Sequence, residues 1–233
     1  MRSFSIVVAA DQASGIGLRG GLPWRLRKDM VHFLSLTSKV PLHRTLGGLV
    51  AQATEDSGAM ENRIQRVNAC IMGRKTWESI PKKFRPLNDR FNIIISRNPQ
   101  YLCGKPEECH PMVELVSSLE SALDLVEYLQ SLTPPTVASS LPTIQIERTF
   151  LIGGGQLYAE AVQSQECEHI FLTRVHALVE CDAFFPEIMA SEYMLLSSDQ
   201  GKLFLEGYMQ QPIEANMIEE GNFKYEYTVY RRV

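Results

Sequence analysis

Short apolar runs, each ended by turn residues, recur along the chain at 4–10 (FSIVVAA), 68–73 (NACIMG), 90–96 (RFNIIIS), 149–154 (TFLIGG) and 169–175 (HIFLTRV). Each predicts a buried strand. Two further strands are predicted near the C-terminus, KLFLEGYM at 202–209 and FKYEYTVYRR at 223–232, the second alternating with period 2. Helical spacing falls between the runs, at 25–36, 75–80, 118–130 and 156–163. Alternating strands and helices predict an α/β fold. Its centre would be a mostly parallel β-sheet of about eight strands, with helices on both faces and an antiparallel C-terminal strand. One domain spanning 1–233 is expected, with surface insertions near 38–67 and 131–147, where periodicity fades.

The first helical pattern contains an anomaly. Leu26, Met30, Phe33, Leu34 and Thr37 form an apolar stripe, and Arg25, Arg27, Lys28, His32 and Ser35 fall mainly opposite. Asp29 lands at the edge of the stripe, between Phe33 and Leu36. A buried carboxylate is costly unless hydrogen-bonded or protonated. Burial would raise its pKa, which suits an acid or an anchor for a cationic heterocycle. A helix N-terminal charge, or a partner for Arg25, explains the position equally well.

The 233 residues are 45% hydrophobic and 21% charged, with a formal net charge of −4, an ordinary globular composition. No basic, aromatic-interleaved stretch speaks for nucleic acid, and no run approaches a membrane span. The N-terminus lacks the pattern of a signal peptide. Cys70, Cys103, Cys109, Cys167 and Cys181 are odd in number and show no CxxC spacing, so reduced thiols in a cytoplasmic protein are expected, and no metal.

Candidate chemistry gathers where strands meet helices. Gly153-Gly154-Gly155 sits between a predicted strand and a helix, where backbone N–H groups can face an anion. A tight turn would need fewer glycines. Gly73 is followed by Arg74, Lys75 and Thr76 at a predicted helix start, where cations oppose the helix dipole unless an anion is bound. Ser96-Arg97 ends a third strand. Carboxyl ends of parallel strands are where open α/β sheets bind ligands, and three cations there point to several phosphates.

Together, VVAADQASGIGLRGGLPWRLRKDMVHF, IMGRKTWESIP, RPLNDRFNIIISR, FLIGGGQLYAEA and LTRVHALVECDAFFPE resemble dihydrofolate reductase, in the family's order and with compatible gaps. The resemblance covers most of the chain outside 38–67, 99–112 and 131–147, and is of a eukaryotic, fungal-like type with insertions. It implies reduction of 7,8-dihydrofolate to tetrahydrofolate, with hydride from NADPH reaching C6 and a proton reaching N5. It places Asp29 on the pteridine, Thr173 on Asp29, and Leu22 and Trp24 beside the reacting ring. Val7, Val8, Ala9, Met30, Phe33, Ile80, Phe84, Leu87, Ile152 and Tyr158 would surround the substrate, and Arg90 would pair with its glutamate tail. Ala9, Ile16, Gly17, Gly20 and Gly21 would meet the nicotinamide, under a mobile segment Gly15 to Gly21. Gly153, Gly154, Gly155, Gln156 and Leu157 would hold the pyrophosphate, with the Gly153–Gly154 peptide cis. Gly73, Arg74, Lys75, Thr76, Ser96 and Arg97 would hold the adenosine, Arg74 and Arg97 selecting the 2′-phosphate. A monomer is implied, acting on small molecules, open to antifolates, and using neither nucleic acid nor membrane.

Some positions depart from the family pattern. Asp29 stands where eukaryotic members usually carry Glu, Met30 where an aromatic or leucine is common, Phe84 where a polar residue often borders the tail, and Ala183 where a threonine is usual. A related reductase of another pterin or pyrimidine is disfavoured by Arg90 and the Trp24–Asp29 pair. A silent nucleotide-binding protein is disfavoured by Asp29 and the glycine run together.

Overall fold

Side chains alternate faces along a strand, and here both faces are apolar, so the sheet must be covered twice. The computed structural model describes residues 2–41, 64–105, 108–132, 143–213 and 217–233. Its elements are β1 (Phe4–Ala10), β2 (Gly15–Gly17), α1 (Arg27–Ser38), β3 (Ile64–Gly73), α2 (Arg74–Ser79), β4 (Arg90–Ile95), β5 (Val113–Val116) and α3 (Leu119–Ser131). There follow β6 (Thr143–Leu151), α4 (Gly155–Gln163), β7 (Cys167–Val175), β8 (Ala183–Phe184), β9 (Tyr193–Leu195), α5 (Ser198–Met209), β10 (Met217–Glu220) and β11 (Phe223–Arg232).

Nine strands form the main sheet, in the order β10-β11-β7-β1-β6-β3-β4-β5, with β9 also on β11. Pairing is parallel from β7 through β5, and antiparallel where β11 meets β7, β10 and β9. On one face Ile71, Ile93, Leu151 and Ile170 join Ala122, Leu123 and Val126 of α3 and Ala161 and Val162 of α4. On the other face Cys70, Met72, Ile94, Phe150 and Phe171 join Leu36 of α1, Trp77 of α2, and Leu205 and Met209 of α5. Neighbours in sequence thus serve opposite layers, as the period of 2 requires.

Three expectations are corrected. The predicted strand at 202–209 is the C-terminal part of helix α5. Gly201, Leu205 and Met209 are its buried residues, at the i, i+4, i+8 spacing of a helix face, while Leu203 is exposed. Ser197 and Gln200 close a capping box at its start. On α1 the buried face is Asp29, Leu36 and Thr37, whereas Met30 and Leu34 of the expected stripe are about half exposed. Finally, two strands begin earlier than expected: β3 takes in residues 64–67 and β6 takes in 143–148, while 42–63 and 133–142, most of the two expected insertions, lie outside the described residues.

β1 pairs with β6 on one side and β7 on the other. The chain leaves β1 toward α1 on one layer and leaves β6 toward α4 on the other. The carboxyl ends of β1 and β6 therefore flank a reversal of winding, the crevice where such sheets bind ligands.

Candidate active site

Asp29 lies one residue into the buried face of α1, and its side chain meets β7 rather than Arg25. Thr173 Oγ1 donates to Asp29 Oδ1 at 2.7 Å, with both residues buried. Burial raises the Asp29 pKa from 3.8 to about 6, against the hydrogen bond from Thr173, which lowers it, while nearby Glu220 adds to the rise. Such a carboxyl can hold a proton near neutral pH and release it there. A cavity of about 270 Å³ opens beside it, lined by Leu22, Trp24, Arg25, Leu26, Arg27, Asp29 and Met30. The Trp24 indole N–H is buried with no hydrogen-bond partner among the described residues.

The expected substrate residues divide between layers. Val7, Phe33, Ile80, Leu87 and Ile152 belong to one apolar cluster, on the α1 side of the sheet. Leu22, Met30 and Phe84 are among the exposed large apolar residues. Val8 packs in the opposite layer with Tyr158. The Tyr158 hydroxyl is committed to the Val7 carbonyl at 2.8 Å, and burial drives its pKa upward. Ala9 packs instead against the Trp24 cluster.

Arg90 is only 4% exposed, yet among the described residues no carboxylate pairs with it. Its Nε donates to the Asn88 carbonyl at 2.9 Å and one terminal nitrogen donates to Thr37 Oγ1 at 2.9 Å, fixing the plane of the fork. The guanidinium stands 5.8 Å from the centre of the Phe33 ring. A planar cation held this way presents its remaining donors in the geometry a carboxylate accepts.

At the carboxyl ends of β3 and β6 the Gly73 N–H donates to the Gly153 carbonyl at 2.8 Å. The Gly153–Gly154 peptide is cis. Gly153 has φ +124°, and a Cβ there would stand 3.2 Å from Thr76 Oγ1 and 3.3 Å from the Tyr158 hydroxyl. Only glycine fits that conformation and that space. Next to this cradle β4 ends beside β3, with Gly73 opposite Ile95, which brings Ser96 and Arg97 alongside Arg74 and Lys75. Arg74, Lys75 and Arg97 are all exposed. Ser96 is buried, and its hydroxyl accepts from the Asn98 N–H at 3.1 Å.

The segment Gly15 to Gly21 is anchored at its base. Gly15–Gly17 pairs with Ala183–Phe184, and buried Asp11 accepts from the N–H groups of Ala13, Gly15 and Val179. Asp182 accepts from the Arg19 N–H at 2.8 Å. Ile16, Gly17, Gly20 and Gly21 thus sit on a loop held at β2 and β8.

Comparison with known proteins places this geometry. The sequence model of the family described as "Dihydrofolate reductase" matches residues 62–205. A dihydrofolate reductase of Aedes albopictus is 33% identical over 235 residues, covering 100% of this chain and 99% of the relative. The chain belongs to the dihydrofolate reductase family. The dihydrofolate reductase of Pneumocystis carinii is 32% identical over 99% of this chain and 97% of its own length, so identity does not single out fungi over insects. A bifunctional dihydrofolate reductase-thymidylate synthase of Glycine max is 34% identical, and the chain spans 34% of its length. The solved Schistosoma mansoni dihydrofolate reductase superposes with a TM-score of 0.64 at 29% identity, covering 98% of this chain and 97% of that one.

Two site features escaped the sequence-based reading. Asp11, directly after an apolar strand and before Gln-Ala-Ser-Gly, carries the signal of an Asx-type turn. Glu220 carries no local signal for its role at α1, because the N–H groups it accepts from there, those of Arg27 and Lys28, lie at the far end of the sequence.

Proposed function

We propose that this chain, as a single monomeric domain, catalyses NADPH-dependent reduction of 7,8-dihydrofolate to 5,6,7,8-tetrahydrofolate. The observation that carries this is the buried Asp29–Thr173 pair beside a cavity, at the same crevice as the glycine cradle.

The residues present fit a phosphorylated dinucleotide. Gly153, Gly154 and Gly155, with Gln156 and Leu157 behind them, would hold the pyrophosphate, where a Cβ added at Gly153 or Gly154 would crowd Thr76. Arg74, Lys75, Thr76, Ser96 and Arg97 would surround the adenosine, the two arginines taking the 2′-phosphate. When bound, NADPH supplies the hydride. Ile16, Gly17, Gly20 and Gly21 would cover the reacting face and exclude water.

On the substrate side, Asp29 would hold the amino-pyrimidine edge of the pteridine and keep the proton that N5 requires available. Below about pH 6 the Asp29 carboxyl is protonated in the free protein. Activity measured as kcat/KM is therefore expected to fall as pH rises through and above that value. Leu22, Met30, Phe33, Ile80, Leu87 and Ile152 would wall the rings, and Arg90 would fork onto the tail carboxylate. Diaminopteridine antifolates would occupy the same pocket. The five free thiols fit a reducing, cytoplasmic setting.

Purified protein mixed with NADPH and dihydrofolate should lose the reduced-nicotinamide absorbance near ~340 nm. No loss above the rate with either reactant alone would end the proposal. Thr173→Val removes the hydrogen bond that favours ionised Asp29, so the alkaline limb of the kcat/KM profile should move to higher pH. A limb that stayed in place would show that Thr173 does not tune this carboxyl.

A further inference from the structure

Helix α1 begins without a cap of its own. Leu26 occupies the N-cap position and offers no side-chain acceptor to the first-turn N–H groups. Four such groups lack intrahelical partners at any helix start. Here the acceptor comes from the other end of the chain. Glu220, the last residue of β10, takes the Arg27 N–H on Oε1 at 2.6 Å and the Lys28 N–H on Oε2 at 3.1 Å. The Tyr225 hydroxyl donates to the same Oε2 at 3.0 Å. Asp29 is the next residue along, so a single carboxylate grips the turn that carries the acid.

We propose that Glu220 is a positioning residue for Asp29, capping α1 from β10 and so fixing where the acid stands and how firmly it keeps its proton. The inference rests on Asp29 acting in the reaction as described above.

The groups facing Asp29 make Glu220 the charge to watch. From β7 comes the neutral Thr173 hydroxyl. From β11 come Tyr225 and Tyr227, both held un-ionised, their pKa values pushed up first by burial and further by nearby carboxylates, Asp29 among them. His32, on the same helix, stacks on Tyr227 with ring centres 3.7 Å apart, and burial lowers its pKa to about 4, so it is neutral at pH 7. Trp24 is uncharged, and Arg25, Arg27 and Lys28 are exposed to solvent. Glu220 stays ionised: desolvation alone would raise its pKa, but the N–H groups of Arg27 and Lys28 and the Tyr225 hydroxyl hold it below the usual glutamate value. Its charge disfavours a second negative charge on Asp29 and leaves the proton there.

The test compares the ligand-free wild type with Glu220→Gln and Glu220→Ala. The Asp29 carboxyl carbon resonance is followed against pH by NMR, beside the pH profile of kcat/KM. Gln keeps a carbonyl acceptor for the cap but lacks the charge. Its Asp29 midpoint should fall by about half a pH unit, the size expected between partly hydrated charges. The alkaline limb of kcat/KM should follow, leaving roughly threefold less activity at pH 7, with Tm close to wild type. Ala removes the cap as well, and should also lower Tm and raise KM for dihydrofolate. An Asp29 midpoint unchanged in Glu220→Gln overturns the proposal, and that variant decides even if Glu220→Ala does not fold. A resonance that moves while the rate profile stays put supports the coupling and instead removes Asp29 from its assigned chemistry.

Discussion

Asp29→Asn is expected to lower turnover by about 10²–10⁴-fold at neutral pH, the range for losing a positioned acid. NADPH binding should survive, because the glycine cradle and its cations lie on other strands. The same change should alter how stability depends on pH, and the sign follows from the raised pKa. Folded Asp29 binds its proton up to about pH 6, whereas the unfolded side chain releases it near 3.8. Between those values the native state holds more protons, so wild-type stability falls as pH rises. The loss is on the order of 3 kcal/mol once pH passes well above 6. Asparagine never ionises and escapes it. Its amide leaves donors to satisfy, at roughly 1–3 kcal/mol, but that cost does not vary with pH. Urea unfolding of both proteins at pH 4 and pH 7.5 should therefore show the variant gaining on wild type as pH rises. Parallel pH dependences would mean that the carboxyl is not buried in its acidic form, and normal turnover would remove it from the mechanism.

Arg74→Gln combined with Arg97→Gln should raise KM for NADPH by roughly 10²–10⁴-fold and leave NADH nearly unaffected. Each lost charge-assisted bond to a phosphate is worth about 1.5–3 kcal/mol. Arg74 already has a partner, since its guanidinium meets Glu78 at 3.0 Å one helical turn on. Both groups are well exposed, and an exposed pair at that spacing contributes only about 0.3–0.5 kcal/mol. A 2′-phosphate would outcompete it. Arg97 stands exposed after β4, with no such tie among the described residues. Initial rates with the two cofactors measure the outcome directly. An unchanged ratio of kcat/KM for NADPH and NADH would place the 2′-phosphate elsewhere.

How much of this was legible depended on how local each signal is. β1, β4 and β7 announce themselves as apolar runs bounded by turn residues, and the glycine cradle is visible as three adjacent glycines. Helix α5 is not legible locally, because Leu203, Phe204 and Leu205 look like a strand when taken alone. The capping box Ser197–Gln200 and the Gly201–Leu205–Met209 spacing carried the helical signal just upstream and through it. On α1 the hydrophobic pattern matched the buried face in part: Leu26 and Thr37 are buried and Phe33 packs on the core, but Met30 borders a cavity and Leu34 is exposed, while polar His32 is half-buried on Tyr227. Asp29 was therefore less of an oddity than its place on the wheel implied: it belongs to the buried face. β2, β8 and β9 are two or three residues long, too short for any periodicity to show. The Glu220 cap joins positions 193 apart, and no window of sequence contains both partners.

The central strand has a consequence for the making of the protein. Ser5 of β1 pairs with Phe150 on one side and with His169 on the other. During synthesis FSIVVAA emerges before both strands that flank it, which follow well over a hundred residues later. At about 5–20 residues per second, that interval lasts roughly 10–30 s. Through it an apolar, β-branched segment must wait without its sheet, the kind of stretch that associates with other chains when left uncovered. The design that places the crevice at the heart of the sheet thus makes the nascent chain dependent on being shielded until its second half arrives.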